Sequence, residues 1–155
     1  MNLSIRKWYV YFKRANLIIS AGRRTEVLST SIKVGDQFIS RKKITGEDIK
    51  SFADISGDHN PLHLDADFAS KSMFKQIVAH GMLTASLISA ALASIPGTII
   101  LLNFSLAFEK PVYIDDSLTA KVTVKKVEGS KMYLDAEVTR GSDRVVSGSA
   151  VILRR

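Results

Sequence analysis

The chain has 155 residues, 22 Lys+Arg against 15 Asp+Glu, 46% apolar residues and no cysteine. This length suits one domain with a core of its own, and the apolar content excludes a disordered chain. The absence of cysteine excludes disulfides, a thiol nucleophile and any cysteine-ligated metal or cluster.

The net charge of +7 has the size of a nucleic-acid signal, but its distribution argues otherwise. Residues 1–29 hold Arg6, Lys7, Lys13, Arg14, Arg23 and Arg24 against one acid, Glu26, which leaves sixteen basic and fourteen acidic residues for the rest. That remainder is an ordinary mixed surface, so no nucleic-acid partner is expected. Ile5, Trp8, Tyr9 and Phe12 follow the spacing of one helical face, with Arg6, Lys7, Lys13 and Arg14 opposite. A basic amphipathic helix without acids is the pattern of a mitochondrial transit peptide, and Arg23-Arg24 suits processing nearby. The expected organisation is therefore a transit peptide over residues 1–29 and one domain over residues 30–155. The alternative is an extra helix lying on the domain or on a membrane surface, in a cytoplasmic protein. No membrane span is expected. Residues 78–95 come closest, but they include His80, Thr84 and three serines.

In chain order, residues 34–44 alternate loosely and predict a first strand. Thr45 can cap a short helix with Glu47 and Asp48 in its first turn. Ile49, Phe52 and Ala53 give that helix its apolar side, and Gly57 suits its C-terminal cap. Asp58 then starts a loop, and Asn60-Pro61 forbids a continuing helix. On one uninterrupted helix Asp58 and His63 would point about 140° apart. A turn can bring them together around one small molecule, the arrangement of a general acid/base pair working through a water. Asn60 is expected to shape that turn with its side-chain amide.

Asp65 is the expected cap of a second short helix over residues 66–70. Residues 81–94 form a long helix, apolar on nearly all faces and therefore buried, closed by Pro96-Gly97. Four strands are predicted over residues 98–108, 117–127, 132–139 and 145–153, separated by Asp115-Asp116, Glu128-Gly129-Ser130 and Gly141-Ser142-Asp143. Periodicity alone gives an α+β domain with antiparallel strands.

The run Gly57-Asp58-x-Asn60-Pro61-Leu62-His63 resembles the signature of the MaoC-like, (R)-specific enoyl-thioester hydratases and dehydratases. The similarity continues through Asp65-x-x-Phe68-Ala69, Phe74-x-x-x-Val78-x-His80-Gly81-Met82-Leu83 and Phe104-x-x-x-Phe108-x-x-Pro111-Val112, and spans about residues 31–153. It implies a hot-dog fold, an antiparallel sheet wrapped around the central helix, and a homodimer. It also implies that Asp58 and His63 are the catalytic pair, holding a water beside the β-carbon of an enoyl thioester.

Gly81, where the long helix begins, would point its backbone N–H at the thioester carbonyl as the oxyanion donor. Ser89 and Leu92 match positions that line the acyl pocket in relatives; read without the resemblance they are core helix. His80 reads as structural. CoA or an acyl carrier protein would carry the substrate, and the chemistry needs no metal and no redox cofactor. The activity implied is that of a (3R)-3-hydroxyacyl-thioester dehydratase of mitochondrial type II fatty-acid synthesis. An (R)-specific enoyl-CoA hydratase of β-oxidation or polyester-precursor supply is the alternative. A non-catalytic acyl-binding subunit and a thioesterase are readings of other classes.

Overall fold

The computed structural model describes residues 31–155, so the transit-peptide expectation for residues 1–29 lies outside the described residues. Five strands, β1 (Gln37–Lys43), β2 (Ile99–Phe108), β3 (Ser117–Glu128), β4 (Lys131–Arg140) and β5 (Asp143–Arg154), form one sheet in the order β1-β3-β4-β5-β2. Every pairing is antiparallel. Four helices accompany it: α1 (Gly46–Ser56), α2 (Pro61–Leu64), α3 (Ala66–Lys71) and α4 (Gly81–Ala93).

The alternation read in the sequence becomes the two faces of the sheet. Leu118, Ala120, Val122 and Val124 of β3 are buried, as are Met132, Leu134, Ala136 and Val138 of β4. The register sets Ala120 opposite Val138, Val122 opposite Ala136 and Val124 opposite Leu134, so these side chains share one face. Helix α4 packs on that face through Leu83, Leu87, Ile88, Ala91 and Leu92, against β1, β2, β3 and β4. This is the hot-dog arrangement, an α+β domain with its sheet around a central helix. One detail differs from expectation. α4 is not buried on all sides, because Met82, Ser86, Ser89, Ala90 and Ala93 are exposed on the face turned from the core.

Helix α1 begins with a full capping box. The Thr45 hydroxyl accepts from the Asp48 N–H at 3.1 Å, and the Asp48 carboxylate accepts from the Thr45 N–H at 2.9 Å. It ends at Gly57, whose left-handed φ of 77° lets its N–H reach the Ala53 carbonyl at 2.8 Å. The capped helix therefore delivers the chain to residue 58 in one fixed direction.

Candidate active site

α1 has already ended at Gly57, and Asn60-Pro61 starts another helix where the sequence predicts a loop. Proline is well tolerated in the first turn, where its missing N–H has no partner to lose. Asn60 is the N-cap of α2, its side-chain carbonyl accepting from the Leu62 N–H at 3.0 Å. His63 thus stands on a four-residue helix rather than on a turn. Upstream, the Asp58 carboxylate accepts from the Asn60 N–H at 3.3 Å, a local turn that sets its direction.

His63 is half-buried, and its Nδ1 lies 2.6 Å from the Val78 carbonyl oxygen. A carbonyl only accepts, so Nδ1 carries the hydrogen, and Nε2 is the nitrogen left to exchange a proton. Val78 is itself fixed: its N–H bonds the Leu62 carbonyl at 3.4 Å, and it bridges to Tyr113. Ligand-type atoms of Asp58, His63 and His80 all lie within 4.8 Å of one another. The exposed Asp58 carboxylate and the half-buried His63 ring are therefore within reach of one bridging water.

Two cavities touch His63. The first, about 320 Å³, is lined by Leu62, His63, Phe74, Gly81, Phe108 and Pro111 among others. The second, about 220 Å³, is lined by Ile49, Leu64, Ile77, Ile114 and Lys50 with His63 between them. Gly81 opens α4 beside the first cavity. The N-cap, His80, makes no side-chain capping bond, so the N–H groups of the first turn are free for another acceptor. A Cβ at Gly81 would stand 3.1 Å from the Phe108 ring, so a side chain here would push on a wall of the cavity.

The far wall rests on Arg140. Its guanidinium donates to the Asp116 carboxylate at 2.7 Å and to the Pro111 carbonyl at 3.3 Å, while Asp116 accepts from the Tyr113 N–H at 2.9 Å. The hydrogen bond it donates to Asp116 holds the Arg140 pKa above its ordinary value, against partial burial. The pair pins residues 111–116, which supply walls to both cavities.

The structure separates the other expected residues from this group. Ser89 is exposed, and Leu92 is buried among the residues of the core. Neither lines a cavity that reaches His63. Their spacing on α4 carries them to the exposed face and the sheet face respectively, so one chain does not build the expected acyl pocket from them. His80, read as structural, stands inside the cluster, its ring centroid 3.9 Å from that of His63. His59, four residues before His63, is exposed and is not part of the cluster.

Asp58, His63 and His80 are of the types that ligate a divalent metal as well as those that move protons. The two rings are tilted by 34° to each other. His63 Nδ1 and His80 Nε2 are bonded to carbonyl oxygens, which leaves His63 Nε2 and His80 Nδ1 as the open nitrogens.

Residues 29–146 match the MaoC like domain. The chain belongs to the MaoC-like family. The sequence of this MaoC-like protein is 42% identical over 123 residues to the (R)-specific enoyl-CoA hydratase of Rhodospirillum rubrum, covering 78% of this chain and 83% of the relative. It is 39% identical over 94 residues to the mitochondrial 3-hydroxyacyl-[acyl-carrier-protein] dehydratase of Arabidopsis thaliana, covering 60% and 56%. Among solved structures, it is similar to the (R)-hydratase of Aeromonas caviae involved in PHA biosynthesis. That likeness has a TM-score of 0.77 and 36% identity over 82% of this chain and all of the other.

Proposed function

We propose that this MaoC-like protein is a hydro-lyase interconverting trans-2-enoyl and (3R)-3-hydroxyacyl thioesters. The observation that carries the proposal is the meeting of the Asp58 carboxylate and the His63 ring within 4.8 Å, with His63 Nδ1 tied to the Val78 carbonyl. In hydration the pair holds one water. Its oxygen bonds to the β-carbon, one of its protons leaves to the pair, and the pair returns a proton to the α-carbon. Dehydration runs the same groups backward. Neither proton is assigned to one residue of the pair. The N–H of Gly81, at the positive end of α4, donates to the thioester carbonyl oxygen and stabilises the charge that grows on it in the enolate-like state.

The physiological setting proposed is mitochondrial fatty-acid synthesis, with residues 1–29 as the address. The support is the basic, amphipathic pattern of that segment and the similarity to a mitochondrial dehydratase. A second reading, an (R)-specific enoyl-CoA hydratase, is favoured by coverage: this chain spans 83% of the Rhodospirillum hydratase but 56% of the Arabidopsis dehydratase. The protein is proposed to act as a homodimer. Strand β2 is an edge, with Ile100, Leu101 and Leu102 each more than 40% exposed, and an apolar edge of that kind is ordinarily covered.

Enoyl-CoA and enoyl-carrier-protein substrates, assayed side by side with chiral chromatography of the product, test the activity and its carrier. The (3R) product is expected. Asp58→Asn and His63→Ala should each lower turnover at least ~100-fold, and the double variant should add little. A correctly folded single variant with near wild-type turnover, or a (3S) product, overturns the proposal.

A further inference from the structure

Histidine 80 holds more than its place in the core requires. It is 1% exposed, and it joins three parts of the site. Its Nε2 lies 3.0 Å from the main-chain carbonyl oxygen of Asp58. Its ring centroid is 3.9 Å from that of His63 and 5.0 Å from that of Phe52. Its own carbonyl accepts from the Thr84 N–H at 3.1 Å, which fixes it to the first turn of α4, next to Gly81.

A carbonyl acceptor requires the hydrogen on Nε2, so in the neutral ring Nδ1 is a bare acceptor. That Nδ1 is buried and has no hydrogen-bond partner. An unsatisfied buried acceptor is unfavourable, and a phenylalanine or leucine would fill the same space without one. What such residues cannot supply is the Nε2–H. The other hydrogen bonds at residue 58 run to its near neighbours Ser56 and Asn60, so they shape the loop without fixing it to the rest of the site. The bond from His80 is the one that ties Asp58 to α4.

We infer that His80 is the positioning residue of this site, its Nε2–H fixing the Asp58 main chain while its ring face fixes the plane of His63. Both halves of the acid/base pair and the Gly81 donor are thereby referred to one rigid point, the start of α4. The inference rests on the hydro-lyase reading of Asp58 and His63.

Two kinds of measurement test it. In the wild-type protein, long-range ¹⁵N–¹H spectra of labelled histidine report the tautomers directly. His80 should carry its hydrogen on Nε2 and His63 on Nδ1. His80 protonated on Nδ1 overturns the inference without any variant. The second measurement is kinetic. His80→Phe keeps a flat ring and loses the donor, and its kcat per folded molecule should fall ~100-fold with KM within about threefold, the effect of a misplaced acid/base pair. His80→Gln places an amide N–H where Nε2 was and should recover at least ~10-fold of that loss, whereas the shorter His80→Asn should not. A residue that only packs would lower the melting temperature and leave kcat per folded molecule unchanged in all three. That result overturns the inference. If His80→Phe does not fold, the Gln and Asn pair decides: equal kcat in both overturns it. Asp58→Asn is run beside them. Should it keep full turnover, the hydro-lyase reading itself falls; should it lose turnover while the His80 variants keep theirs, only the positioning role falls.

Discussion

Replacing Gly81 by alanine separates the stability of this fold from its proposed chemistry. The new Cβ would stand 3.1 and 3.2 Å from two carbons of the Phe108 ring, a few tenths of an ångström closer than ordinary contact. Phe108 is 52% exposed, so the ring has solvent to turn into. Alanine also favours the helix over glycine by up to ~1 kcal/mol, less in a first turn. The two effects oppose each other, and the melting temperature should move by no more than ~3 °C, which is under ~1 kcal/mol for a domain of this size. Activity should respond very differently. Gly81 and Phe108 both line the cavity beside His63, so the methyl group and the displaced ring both take space where the thioester carbonyl must approach. A carbonyl displaced by ~1 Å from its place against the donor loses ~100-fold in kcat/KM, equivalent to ~2.7 kcal/mol of transition-state stabilisation. Steady-state hydration of a short enoyl-CoA, beside a thermal melt, measures both quantities. Adding Phe108→Leu should return part of the lost activity, because the smaller side chain frees the space the methyl group took. An unchanged melt together with kcat/KM within twofold of wild type would refute the placement of the carbonyl at Gly81.

Gly148→Ala should destabilise the fold at the upper end of the ~1–3 kcal/mol typical of overpacking, because its Cβ would collide with the Ser105 carbonyl oxygen and force β2 and β5 apart; urea unfolding measures it. Thr45→Ala should cost ~1 kcal/mol by opening the capping box. Burial opposes ionisation of Asp48, but hydrogen bonds from Lys42 and from Thr45 outweigh it, so its carboxyl titrates below the usual aspartate range. The stability this carboxylate adds is therefore complete above the ordinary aspartate pKa and is lost as pH falls through the lower folded value. Unfolding curves of wild type and Asp48→Asn should converge in that acid window, and a difference that persists below it would contradict the assignment. Leu92→Ala should lower stability by ~2–5 kcal/mol with an unchanged preference between long and short acyl chains, since Leu92 packs in the core. A shifted chain-length ratio in that variant would instead place Leu92 against the acyl chain.

Much of this architecture was legible because its signals are local. Period-two alternation marked β3, β4 and β5 to within a few residues, and Thr45 and Gly57 marked the ends of α1. The stretch that carries the candidate pair is found through its motif, but its local structure is not what the motif suggests. Proline was taken as a stop, although Asn60 before it and three residues after it make a capped single turn. The exposed side of α4 was missed because Ala and Ser, being small, do not reveal which face meets the sheet. His80 was judged from its neighbours in sequence, whereas its bond to the Asp58 carbonyl spans 22 residues, a contact that no periodicity encodes. Ser89 was assigned to the acyl pocket from its match to relatives; in this chain it lies on the exposed face of α4.

The four-residue helix under His63 should make competence melt before the fold does. One turn cannot stand by itself in water. α2 persists because Asn60 caps it, because Val78 bonds Leu62 and His63 from outside, and because Pro61 begins it. Those few bonds lie outside the ladders of the sheet that dominates the cooperative unfolding of the domain. Warming should therefore silence the protein while its circular dichroism still looks native, with amides of residues 58–65 exchanging ahead of those in β3 and β4. A spectrum that certifies the fold would not certify the site, so for this domain a count of active molecules has to come from titrating the site itself.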